Sequence, residues 1–120
     1  MIRWFLDSLY LSLLVGQCSG PVRDEAKLQA IRTEAAGMMA THPVSRTKSW
    51  TEVPKSDWPP TIGSLQPEWV TVHSWGVDIT TKAYFDGGWG YIITPTRAGS
   101  PKPEECYLRL TQGVFWHGPC

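Results

Sequence analysis

A change of period along the chain constrains its fold more than any other feature. Between Arg23 and Ala40 the apolar residues Leu28, Ile31, Ala35 and Met38 recur at three- and four-residue spacing, with Arg23, Glu25, Lys27, Gln29, Arg32 and Glu34 between them. This spacing predicts an amphipathic helix over 23–40 with one face meant for burial. Gly37 weakens its last turns, and His42-Pro43 ends it, because the residue before a proline is pushed out of the helical region. After Pro67 the period becomes two. Trp69-Val70-Thr71-Val72-His73 and Val77-Asp78-Ile79-Thr80 alternate apolar and polar residues around Ser74-Trp75-Gly76, which predicts a hairpin with Val70, Val72, Val77 and Ile79 on its buried face.

Trp89 to Thr94 reads as a third strand that Pro95 terminates, and Tyr107 to Thr111 and Val114 to His117 form a last hairpin around Gln112-Gly113. From Pro43 to Pro67 no period survives. Pro59-Pro60 argues against a helix or central strand there, so the stretch is expected to be a long ordered loop pinned by Trp50 and Trp58. The fold class is therefore α+β: one amphipathic helix packed on a four- to five-stranded antiparallel sheet, preceded by a hydrophobic N-terminal segment. A chain of 120 residues has room for one domain. The expected organisation is an address segment over 1–20 and a single domain over 21–120, with helix 23–40, loop 41–67 and sheet 68–117.

The address segment is read from its length. Arg3 precedes a run from Trp4 to Val15 that is apolar except for Asp7, Ser8 and Ser12, followed by the mostly small residues Val15-Gly16-Gln17-Cys18-Ser19-Gly20. A membrane-spanning helix needs about 20 apolar residues, so the run fits a signal-peptide core better than a permanent span. The region around Cys18 resembles the bacterial lipoprotein box, which makes Cys18 the candidate lipidation site. Gln17 stands where a small residue is expected, and Asp7 puts a charge in the apolar run. An uncleaved anchor and a structural helix, with Arg3 and Asp7 one turn apart, are the competing readings.

Three cysteines are an odd number, which in an exported chain needs an explanation. With Cys18 lipidated or removed, Cys106 and Cys120 are left flanking the last hairpin. A two-residue turn would set Thr111 opposite Val114, Leu110 opposite Phe115 and Cys106 opposite Pro119, one step from Cys120, so the two sulfurs can meet. Two free thiols near a frayed end are the alternative, since the redox compartment decides.

Familiar chemistries find little to rest on. Asp86-Gly87-Gly88-Trp89-Gly90 is glycine-rich, but β-formers follow it rather than a helix start, so it reads as a turn and not as a phosphate cradle. His42, His73, His117, Cys106 and Cys120 lack the paired short spacings of a zinc site, and no metal or other cofactor is expected. Ser74 beside His73 is adjacency without geometry, because neighbouring strand residues point to opposite faces. Asp78, Asp86 and Glu104 are the acids from which a small hydrolase would be built. Eleven basic against eleven acidic residues leave no net field to draw nucleic acid. Seven tryptophans remain to be explained. Trp69, Trp89 and Trp116 lie on strands and some of them are expected to fill the core, whereas Trp58 in a loop and Trp75 in a turn are the expected exposed binding pair.

The run Trp58-Pro59-Pro60, Leu65-x-Pro67, Val70-x-Val72, Gly76-Val77-x-Ile79, Trp89-Gly90 and Gly113-Val114-x-Trp116 resembles a pattern in short uncharacterised bacterial proteins, in which a hydrophobic segment precedes a small β-rich domain. The resemblance implies a bacterial origin and an envelope address, and it carries no activity. The expectation is a non-enzymatic protein of the cell envelope, periplasmic or membrane-anchored through its N-terminal lipid or hydrophobic segment. It would contact an envelope protein or saccharide through its Trp-bearing loops. A small hydrolase and a cytosolic inhibitor or immunity-type partner are the alternatives.

Overall fold

Asp24 starts the main helix: its carboxylate accepts a hydrogen bond from the Lys27 amide at 2.9 Å, satisfying one of the N–H groups that a helix start leaves unpaired. Helix α1 then runs Glu25–Thr41, and the His42 amide closes it on the Met38 carbonyl. Its buried residues are Leu28, Ile31, Ala35 and Met38, the four that the helical spacing singles out. The computed structural model describes residues 20–84, 88–96 and 101–120. The expected signal segment with Cys18, and Asp86, lie outside the described residues.

The strands are β1 (Trp50–Glu52), β2 (Trp69–His73), β3 (Gly76–Lys82), β4 (Trp89–Ile93), β5 (Tyr107–Thr111) and β6 (Val114–His117). They form one antiparallel sheet in the order β1-β2-β3-β4-β6-β5, so the chain leaves β4, crosses to the far edge and returns inward as β6. The α+β class holds, with six strands instead of four or five. The additional strand is β1, inside the stretch expected to be a loop. Three residues are too few to display a period of two, and β1 exists because β2 offers it a partner edge, with Trp50 opposite His73 and Glu52 opposite Thr71.

The same stretch holds a short helix, α2 (Pro60–Ser64), which corrects the reading of Pro59-Pro60. Proline is tolerated at the first helical position, where its missing N–H would be unpaired in any case. The next two amides, of Thr61 and Ile62, donate to the two carboxylate oxygens of Glu34 on α1 at 3.1 and 2.9 Å. A side chain far away in sequence thus completes the helix start.

One face of the sheet is covered by α1. Val70, Val72, Val77, Ile79, Tyr91, Ile93 and Val114 from that face pack with the helix stripe, Val53 and Ile62, and Trp58, Leu110 and Trp116 close the margins. The buried Tyr91 hydroxyl accepts from the Val22 amide at 2.9 Å, tying the chain before α1 to the middle of the sheet. In the last hairpin a bulge at Leu110 shifts the register by one. Thr111 faces Val114, but Arg109 rather than Leu110 faces Phe115. Cys106 and Cys120 are joined in a disulfide with their Cα atoms 5.8 Å apart.

Candidate functional site

Because successive strand residues point to opposite faces, burying the valines and isoleucines against α1 forces their neighbours onto the other side. Trp50 and Glu52 on β1 share that second face with Trp69, Thr71 and His73 on β2, and with Asp78 and Thr80 on β3. Across the sheet the register continues Glu52, Thr71, Asp78, Ile92, Phe115 and Arg109 in one row. A second row runs Trp69, Thr80, Gly90, His117 and Tyr107.

Aromatic side chains and a central carboxylate dominate this face. Trp50 and Trp69 are 41% and 43% exposed, among the most exposed large apolar residues described. Trp75 stacks on His73 with ring centres 4.6 Å apart and planes 14° from parallel. His73 Nε2 shares a 3.0 Å hydrogen bond with the Thr71 hydroxyl. Tyr107 meets His117 edge to face at 5.7 Å. Ile92 and Phe115 are buried beside them without belonging to the core under α1.

Asp78 sits in the middle. Its burial pushes the carboxyl pKa upward, against the opposing pull of His117, His73 and a hydrogen bond with Thr80. Its Oδ1 atom is buried with no hydrogen-bond partner. Burial likewise lowers the pKa of His73, which the Asp78 charge resists. A catalytic arrangement of nucleophile, base and acid would need the carboxylate to orient the imidazole by a hydrogen bond. Asp78 is bonded by Thr80 instead.

The partnerless oxygen has a measurable cost. A carboxyl whose pKa is raised by folding contributes stability at acid pH, and that contribution is lost as pH rises through its folded pKa. Asp78→Asn is therefore expected to raise stability at pH 7 by about 1 kcal/mol, since a buried unpaired charge is replaced by a neutral amide. The gain should shrink as pH falls through the titration of Asp78, because the wild-type group is then neutral too. Thermal melts at pH 7 and at pH 4 check this. A variant that is less stable at pH 7 would mean that a protonated histidine holds the carboxylate.

The residues singled out from sequence are distributed unevenly. Trp58 and Trp75 are both half-buried, so the expectation of an exposed pair does not hold. The Trp58 indole donates to the Val53 carbonyl at 3.0 Å and packs against the core, because the loop that carries it folds back under β2. Of the three strand tryptophans expected to supply core residues, Trp116 packs against the core and Trp69 is exposed. Glu104 sits on an exposed turn and pairs with Lys102, and the polar neighbours of Asp78 are His117, His73 and Thr80. The disulfide borders a shallow recess of about 450 Å³ between Tyr107, His117 and Glu105. Among the described residues no three His, Cys, Asp or Glu side chains are grouped to hold a metal ion. Among the same residues no helix is long and apolar enough to cross a membrane. The alternation did contain the signal for the missed site, since Trp69 and His73 lie on the polar phase of β2.

The chain matches no family model, and no curated protein and no solved structure is significantly similar to it.

Proposed function

We propose that this is a small exported or lipid-anchored bacterial envelope protein that acts by binding another envelope component, without catalysis, through the exposed β1–β2 end of the sheet face opposite α1. The observation that carries this reading is the pair Trp50 and Trp69, two large aromatic side chains left open to solvent around a polar centre. A domain that packs valine and isoleucine this completely on one face keeps exposed tryptophan on the other only at a cost, and tryptophan is enriched where surfaces are recognised. The Cys106–Cys120 disulfide supports an oxidising compartment, where such bonds persist.

The apolar run from Trp4 to Val15 supplies the address, and residues 21–120 form the domain that is delivered. Of the acids from which a hydrolase would be built, Glu104 is engaged with Lys102, and the polar partners of Asp78 are His117, His73 and Thr80. The test is fractionation of the producing cell with mass spectrometry of the mature protein. The expected product lies in the membrane or periplasmic fraction, is shortened near Cys18 and carries Cys106 and Cys120 oxidised. An intact cytosolic chain with reduced thiols would overturn the reading.

A further inference from the structure

We propose that the β1–β2 end of the sheet face opposite α1 is a glycan-binding ledge, on which a neutral, extended oligosaccharide lies across Trp50 and Trp69 with its hydroxyls donating to Glu52. The assignment rests on the reading of this face as the binding surface and names the chemistry of what it binds.

Geometry comes first. Trp50 stands opposite His73, and Trp69 lies four residues back along β2. At the usual rise per strand residue the two tryptophan positions are therefore about 14 Å apart along the strands, the span of several sugar rings rather than one. Between them lie Glu52 and Thr71, directly opposite each other. The order along the ledge is thus aromatic, polar, aromatic. A pyranose chain presents the matching pattern, with apolar C–H faces that lie on indole rings and equatorial hydroxyls that donate to carboxylates and threonines. Lys48 Nζ stands 5.4 Å from the centre of the Trp50 ring, a contact that steadies the indole.

Charge narrows the ligand class. Glu52 faces the ligand between the two tryptophans, Asp78 lies half-buried beyond it on β3, the Lys48 ammonium is engaged with the Trp50 ring, and Arg109 of the same row is at the opposite edge on β5. Polyanions such as nucleic acid, polyuronates or an anionic lipid surface would meet the Glu52 carboxylate at the centre of the ledge. Exposure narrows it further. The exposed residues Trp50, Glu52 and Trp69 lie on a strip two strands wide, because Thr80, Ile92 and Phe115 farther across the face are buried. A folded protein partner, or a second copy of this chain, ordinarily covers about 800 Å² on each side, whereas a slender ligand needs only such a strip.

The test is titration of the full chain in mild detergent with β-1,4-linked tetramers of glucose and of N-acetylglucosamine, using tetragalacturonate as the anionic comparator. Calorimetry reads affinity and the tryptophan indole N–H resonances read the site. At least one neutral tetramer is expected to bind and to shift the Trp50 and Trp69 signals. Trp50→Ala and Trp69→Ala should each weaken binding about tenfold or more without changing the melting temperature, as loss of a central aromatic contact does elsewhere. Leu108→Ala, at an exposed residue on the other face, should leave affinity unchanged. The assignment is overturned if neither neutral tetramer binds, if only tetragalacturonate binds, or if both tryptophan variants keep wild-type affinity. A chain that fractionates with the envelope yet ignores both neutral tetramers overturns the glycan assignment alone. A chain that binds one through both indoles but stays cytosolic supports the ledge and overturns the envelope reading.

Discussion

Gly90→Ala is expected to lower the melting temperature of the protein sharply. Gly90 sits inside the sheet, with Thr80 of β3 on one side and His117 of β6 on the other. A Cβ added there would lie 2.0 Å from the Ile79 carbonyl oxygen and 3.0 Å from its carbon, which are backbone atoms of the neighbouring strand. No rotamer relieves that contact. The strands must move apart, yet both flanks of β4 are held by ladders. Overpacking a core ordinarily costs about 1–3 kcal/mol by displacing side chains. Here the backbone has to yield, so a loss of about 3 kcal/mol or more is expected, against a total of about 5–15 kcal/mol for a small domain. Thermal denaturation should show a fall of about 12 °C or more. A melting temperature near that of the wild type would show that β3 and β4 can separate freely at the bulge between Thr80 and Lys82.

Breaking the disulfide should have an effect of similar size and a different location. The Cys106–Cys120 bond closes a loop with a sequence separation of 14. In the chain-entropy account, a loop of that length stabilises by about 3 kcal/mol, chiefly by restricting the unfolded chain. For a domain of this size that corresponds to a fall of about 12–20 °C in melting temperature on reduction or in the Cys106→Ser, Cys120→Ser double variant. The bond clamps β5, which is an edge strand, onto β6, which is flanked on both sides. Amide exchange should therefore accelerate first at Tyr107 and Arg109, while β2 and β3 stay protected. An unchanged melting temperature would mean that the ladder between β5 and β6 holds the chain end without the bond.

Much of the fold was legible because it follows from local periodicity. The stripe Leu28, Ile31, Ala35 and Met38 can be buried together only on a helix, and the alternation around Ser74-Trp75 can be satisfied only by a hairpin. What was illegible depended on partners far away in sequence. β1 is too short to announce itself and is defined by the free edge of β2. Helix α2 begins at a proline pair that reads as a breaker, and it is completed by Glu34 from another helix. The bulge at Leu110 is a matter of fit between two strands, and it moves every residue beyond it by one position.

The candidate site divides in the same way. The phase of β2 puts Trp69 and His73 on the side away from Val70 and Val72, so half of the ledge is written in the alternation of that strand. Judging exposure by element type misled, because Trp58 in a loop turns inward to the Val53 carbonyl and Trp69 on a strand turns outward. The amino-acid order alone determined which residues share a face, since the direction of a side chain along a strand or helix is set by the backbone period. Only the tertiary structure decided which strands would lie side by side and how much of the face opposite α1 would stay exposed. Those depend on contacts among residues distant in the chain, and no local pattern records them.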